Sequence, residues 1–180
     1  MSGSHDTTTR TATISVLVDN EAGILARVTG LFTGRGYNID SLTVAAVEAG
    51  GTLSRINVVT SGTPMVIAQI KAQLDRLVQV HRVADLTADG PHVAREMALV
   101  KVIGIGEKRV EALRIAETFR ARAVDTTIGS FVFEITGSSE KLDAFIDLMR
   151  DLGLAEVSRT GVAALARGTS TLSSLFHSDR

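Results

Sequence analysis

Asp19-Asn20-Glu21-Ala22-Gly23-Ile24-Leu25-Ala26-Arg27-Val28, with Gly36-Tyr37-Asn38-Ile39 one helix further on, is the stretch that decides how this chain folds. It reads as a strand end, a polar loop, a helix start and then a second strand opened by Asn. Asn20 is placed to cap the helix, and Glu21 falls in its first turn, where the dipole favours an acid. Gly23 leaves the backbone N–H groups uncovered, which suits a small carboxylate. The same residues also make an ordinary helix cap and an ordinary turn asparagine, so the loop alone assigns no ligand.

Working outward, Thr11 to Val18 alternates, with Ile14, Val16 and Val18 on one face and Thr13, Ser15 and Leu17 on the other. That predicts a strand with one well-buried face. Ile24, Leu25, Val28, Leu31 and Phe32 form an apolar stripe at helical spacing, ended at Arg35-Gly36 by a left-handed glycine cap. Ile39 to Val47 and Leu53 to Thr60 read as two strands around the turn Ala49-Gly50-Gly51. Thr63-Pro64 opens a second helix with Ile67, Ile70, Leu74 and Leu77 inward, and Val80 to Leu86 is a fourth strand. The order is β-α-β-β-α-β.

Ala88-Asp89-Gly90-Pro91-His92 breaks the pattern, and the same grammar then repeats. Leu99 to Ile103 is a strand, and Lys108 to Arg120 a helix with Val110, Leu113, Ala116 and Phe119 inward. Ala123 to Thr127 and Phe131 to Thr136 are strands. Ser138 or Ser139 caps a helix carrying Leu142, Phe145, Ile146 and Met149, and Leu154 to Ser158 closes the repeat. The prediction is an α+β chain of two ferredoxin-like βαββαβ domains, at 11–87 and 97–167. A linker over 88–96 separates them, with a disordered tail over 1–10 and a flexible Ser/Thr-rich tail over 168–180. A small sheet covered by helices on one face leaves a bare face and open edges. Homodimerisation is the expected remedy, with Ile39, Val44, Val58 and Val59 supplying apolar surface.

Composition narrows the chemistry. The 180 residues are 44% hydrophobic and 22% charged with a formal net charge of −1, which argues against nucleic acid or an anionic membrane as partner. There is no cysteine, so disulfides, thiolate metal sites and cysteine nucleophiles are excluded. No apolar run approaches the roughly 18 residues of a membrane span and the N-terminus is not signal-like, so a cytoplasmic location is expected. With no Trp, one Tyr and six Phe, the core must be mainly aliphatic.

Candidate sites are few. Gly104-Ile105-Gly106 follows a strand and precedes a helix, but Arg109 stands where a dinucleotide fingerprint needs its third glycine. His5, His81, His92 and His177 show no metal spacing, and no nucleophile elbow is present. The opening loop remains. The βαββαβ order is expected to bring it beside the start of the second strand. An α-amino acid needs N–H donors for its carboxylate, amide oxygens for its ammonium and an apolar wall for its side chain. The N–H groups of Ala22 to Leu25, the side chains of Asn20 and Asn38, and Ile24, Leu25 and Ile39 offer each of these.

These residues carry a resemblance. Ile14 to Leu86 resembles an ACT domain, the small βαββαβ module that binds amino acids at dimer interfaces. The runs Glu21 to Phe32 and Arg35 to Ala45, above all Gly36-Tyr37-Asn38-Ile39-Asp40-Ser41-Leu42-Thr43-Val44, are similar to the regulatory small subunit of acetohydroxyacid synthase, also called acetolactate synthase. Thr52-Leu53-Ser54-Arg55, Arg95 to Lys101, Lys141 to Phe145 and Ser158-Arg159-Thr160-Gly161 extend the similarity over nearly everything but the tails. The resemblance implies a chain with no catalytic activity and no cofactor of its own, acting in branched-chain amino acid biosynthesis. It would bind a large subunit carrying thiamine diphosphate, FAD and magnesium, raise its activity and confer feedback inhibition by valine. On the matching positions, Asn20, Ala22, Gly23, Ile24 and Leu25 would contact valine from one protomer, and Asn38 and Ile39 from the other. Thr43 is a lesser candidate. A stand-alone ACT-domain sensor acting on another enzyme or on transcription is the alternative, and the sequence offers neither a helix-turn-helix nor a basic face for the latter.

Overall fold

A computed structural model describes residues 8–48 and 50–172. Most of the two predicted tails, with His5, His177 and Ala49 of the hairpin turn, lies outside the described residues. Two compact units form: the chain up to Val93 together with the residues from Val162 onward, and Ala94 to Gly161. The element order is β1 (Arg10–Asp19), α1 (Ile24–Thr33), β2 (Ser41–Ala46), β3 (Leu53–Gly62), α2 (Pro64–Leu74) and β4 (Val80–Asp85), then β5 (His92–Ile103), α3 (Gly106–Thr118), β6 (Arg122–Thr126), β7 (Ser130–Gly137), α4 (Ser139–Arg150), β8 (Leu154–Arg159) and β9 (Ala163–Ala166). The βαββαβ order is present twice. Residues 92–96, expected in a linker, belong to β5, and β9 was not expected at all.

In the first unit the strands lie in the order β2-β3-β1-β4. β1 and β3 are antiparallel in register from Arg10 opposite Gly62 to Asp19 opposite Leu53. Ala12, Ile14, Val16 and Val18 of β1, with Ile56 and Val58 of β3, pack against Ile24, Val28 and Phe32 of α1 and Ile67, Ile70 and Leu74 of α2. Val58 is therefore in the core and is not the dimer surface expected of it.

Local chemistry fixes the helix ends. Gly36 has φ +69°, the Tyr37 N–H reaches the Phe32 carbonyl at 2.9 Å and the Gly36 N–H reaches that of Thr33 at 3.2 Å. This is a Schellman cap, and the Tyr37 ring completes it by packing edge-on against Phe32 with centroids 6.5 Å apart. Thr63 caps α2 by accepting the Val66 N–H, with Pro64 in the first turn.

The outer face of this sheet is not bare. Ser15 and Leu17 are buried there as completely as the apolar residues on the inner face, and Thr13 nearly so. The cover is the chain's own return: β9 packs on β1, and Val162 and Ala164 are buried. The Val162 N–H donates to Ser41 Oγ at 2.8 Å and its carbonyl accepts from Thr43 Oγ at 3.1 Å.

The second unit has the order β6-β7-β5-β8. Ala98, Val100, Val102, Phe131, Phe133 and Ile135 face Leu142, Phe145, Ile146 and Met149 of α4, the stripe expected of that helix. Ser138 caps α4 by accepting the Lys141 N–H. Helix α3 follows its expected inward face at Ala116 and Phe119 and departs from it in the earlier turns. Ala112 and Ala116 are its buried residues, while Val110 and Leu113 are exposed. The phenylalanines already fill the space beneath, so the helix presents small residues to them. Arg109 adds its guanidinium 3.9 Å from the centre of the Phe131 ring.

Buried Glu96 receives Arg159 Nε at 2.8 Å and Nη2 at 2.6 Å, and Ser139 Oγ at 3.1 Å. The Arg159 hydrogen bonds, against the opposing effect of burial, hold the Glu96 carboxyl below the usual carboxylate range. A lowered folded-state value means stability that is present above the ordinary carboxylate pKa of about 4.3 and lost as pH falls through the folded value. Denaturant midpoints of the second unit's signals should therefore hold steady down to about pH 5 and fall below it. Glu96→Gln should weaken that acid-side fall.

Two backbone positions give opposite mutational signs. A Cβ on Gly153, at φ +106°, would stand 1.9 Å from the Ile103 carbonyl oxygen, so Gly153→Ala should cost about 3 kcal/mol or more. Arg120 occupies a Schellman position at φ +56°, with the Ala121 N–H on the Ala116 carbonyl at 2.7 Å, so Arg120→Gly should gain up to about 1 kcal/mol. Urea unfolding of the two variants reads both signs.

Candidate effector site

Where β1 ends, the Asp19 N–H donates to the Gln79 carbonyl at 2.9 Å, and Asp19 Oδ1 meets His81 Nε2 at 2.6 Å. The Asn20 N–H donates to the Thr52 carbonyl at 2.8 Å, and Asn20 Nδ2 donates to the Gly51 carbonyl at 2.7 Å. Asn20 therefore ties the loop to the β2–β3 hairpin instead of capping α1. The cap position falls to Gly23 at φ +90°, with no side-chain cap, and the first turn of α1 contains no acid. Glu21 stands just ahead of the helix and not within it.

This leaves donors open. Among the described residues, the N–H groups of Ala22, Gly23, Leu25 and Ala26 have no protein acceptor. Ala22 and Gly23 are exposed, and nothing lies within 4 Å of where a Gly23 Cβ would be. Four uncovered N–H groups at the positive end of a helix form a seat for a carboxylate. Of the expected apolar wall, Ile24 points into the core, while Leu25 is 39% exposed beside the open donors.

Asn38 and Ile39 lie elsewhere. The Asn38 carbonyl accepts from Thr60 Oγ at 2.5 Å, its side-chain amide donates to the Asp40 carboxylate, and the Asp40 N–H donates to the Val59 carbonyl at 2.8 Å. Ile39 is half-buried against the core. Asn20 is thus fixed beside Thr52, just before β3 begins, and Asn38 beside Thr60, towards its end. At about 3.3 Å per strand residue, that is a separation of roughly 26 Å. The expectation that chain order brings these two segments together is corrected: α1 carries the chain the length of the sheet before β2 starts. Gly51, Thr52, Gln79 and His81 hold the loop and were not foreseen, because nothing local in the sequence marks pairings across so many residues. No group of His, Asp or Glu among the described residues could hold a metal ion, and no helix there is long and apolar enough to cross a membrane.

A four-stranded antiparallel sheet under two helices, with an uncovered helix start after its first strand, is the arrangement of an ACT-type module, followed here by a second unit of the same element order. Known proteins say which kind. Residues 14–82 match the family model for the ACT domain of acetohydroxyacid synthase small subunits, and 95–168 match the model for the small subunit of acetolactate synthase. The chain is 46% identical over 156 residues to the probable acetolactate synthase small subunit of Archaeoglobus fulgidus, covering 87% of this chain and 96% of that protein. It is 47% identical over 156 residues to the Escherichia coli acetolactate synthase isozyme 3 small subunit, covering 86% and 94%. The crystal structure of the Thermotoga maritima acetolactate synthase small subunit superposes with a TM-score of 0.79 at 37% identity, over 89% of this chain and 99% of that one. The protein belongs to the acetolactate synthase small subunits.

Proposed function

We propose that this chain is the regulatory subunit of an acetolactate synthase in branched-chain amino acid biosynthesis, activating a catalytic large subunit and making it subject to feedback inhibition by valine. It needs no catalytic residues or cofactor for that role; thiamine diphosphate, FAD and magnesium belong to the large subunit. The observation that supports this reading is the divided site. Open donors around Gly23 and the Asn38–Ile39 segment stand at opposite ends of one chain's sheet, so only a second copy can bring them to one ligand. Valine's carboxylate would take the N–H groups of Ala22, Gly23 and Leu25. Its ammonium would find the Asn38 side-chain oxygen of the other protomer, and its isopropyl group would meet Leu25 and Ile39. Ile24 acts from beneath, by fixing the helix start in the core.

Such a ligand stabilises one dimer arrangement. Any state of the assembly that needs another arrangement is disfavoured by the difference in binding free energy. A coupling of about 1 to 3 kcal/mol changes activity roughly 5- to 150-fold.

Gly23 separates charge from backbone strain. Its surroundings have room for a side chain, and Asp and Asn both tolerate a positive φ. Gly23→Asp should lower valine affinity at least tenfold and leave activation of the large subunit intact, because its carboxylate takes the ligand's place. Gly23→Asn should be impaired less. Calorimetry with valine and reconstituted synthase assays measure both, and equal valine inhibition of wild type and Gly23→Asp would refute the site.

A further inference from the structure

The outer face of the first sheet has an unusual lining. Its central positions form two rows, Thr13–Val59–Ser41 and Ser15–Asn57–Thr43, across β1, β3 and β2, so five of the six carry a hydroxyl or an amide. The inner face of the same strands is mostly Ile, Val, Leu and Ala, with Ser54 and Thr60 of β3 as its buried polar residues. A permanently closed interface is ordinarily apolar, yet this one is closed by β9 and Val162 over a face where hydroxyls and an amide sit beside Val59 and buried Leu17.

The closure is held by directed bonds and is incomplete. Ser41 Oγ accepts the Val162 N–H, Thr43 Oγ donates to the Val162 carbonyl, and Asn57 Nδ2 donates to Thr43 Oγ at 3.3 Å. Beneath them Ser15 Oγ and Asn57 Oδ1 are buried with no hydrogen-bond partner. Ser15 is fully buried and Asn57 is 5% exposed. An orphaned polar atom disfavours the closed state and is relieved as soon as water reaches it. That penalty narrows the free-energy gap between a seated and a lifted arrangement of residues 162–166. Val162 is also where the chain returns to this unit from β8, and Ser41 begins the strand that Asn38 and Ile39 lead into.

We propose that Ser41, Thr43 and Asn57 are positioning residues for the regulatory response: they form a releasable seat for residues 162–166, and ligand held at Asn38–Ile39 sets how firmly the returning chain is seated. This rests on the valine reading above. It adds the route by which occupancy at one end of β2 reaches the segment joined to the second unit. Its physical content is a two-state element that the ligand biases.

The test is amide hydrogen exchange on the full chain, with and without valine, alongside inhibition assays of the reconstituted synthase. In wild type the Val162 and Ala164 amides should exchange by local opening, faster than the amides of β1, and valine should change their rates. Ser41→Ala removes the acceptor of the Val162 N–H and should speed its exchange about tenfold. That variant should bind valine within about threefold of wild type and yet lose most of the inhibition. Ser15→Ala removes an orphan without touching a bond, so it should slow exchange at Val162 and Ala164 severalfold at an unchanged or higher unfolding midpoint. It keeps the proposal testable should Ser41→Ala fold poorly. If wild type neither binds valine nor is inhibited by it, the valine reading itself falls, and this route with it. If wild type is inhibited but Val162 exchange ignores valine, or Ser41→Ala is inhibited like wild type, or Ser15→Ala leaves exchange unchanged, the seat alone is overturned.

Discussion

From Ala12 to Val18, strand β1 has no solvent face. It lies between β3 and β4 in the sheet, its even-numbered residues Ala12, Ile14, Val16 and Val18 sit under two helices, and Thr13, Ser15 and Leu17 are covered from the other side. A strand so enclosed cannot slip, because a shift of one residue would drive the polar set among Phe32, Ile67 and Ile70. Fixing its register fixes where Asp19 ends. That in turn sets where the loop must turn to reach α1 and which carbonyls, those of Gly51, Thr52 and Gln79, are at hand to hold it.

The loop shows how a candidate ligand seat arises from what is withheld. An Asn or Ser side chain at the cap would have consumed N–H groups of the first turn, as Ser138 does for α4 and Thr63 for α2. At α1 the cap is a left-handed glycine, and Asn20 spends its amide on the neighbouring hairpin. The donors stay open because the residue that could have taken them is engaged elsewhere.

Most of the fold was legible because its signals are local and strong: alternation in β1, stripes in α1, α2 and α4, Thr63-Pro64, and Gly36 as a helix stop. What was illegible depended on distance or volume. Ala163-Ala164-Leu165-Ala166 has neither β-branching nor a turn signal, and it becomes a strand only because it packs on β1 and pairs with β5. The inward face of α3 was misread at Val110 and Leu113, though not at Ala116 and Phe119, because the space under its earlier turns was already taken by phenylalanine. At the candidate site the residue types were readable from Asn20 to Leu25. Their roles were not: Asn20 as a tether, Ile24 as core and the distance to Asn38 all follow from partners far along the chain.

The separation of Asn20 from Asn38 has a consequence beyond geometry. On the valine reading proposed above, the two halves of the pocket belong to different molecules and meet only in the associated state, so ligand and association would be linked through mass action. The effector would then draw subunits together, and dilution would weaken its apparent affinity. Such a response would read the abundance of the protein as well as that of the amino acid, and altered expression of this chain would move the threshold of the proposed feedback.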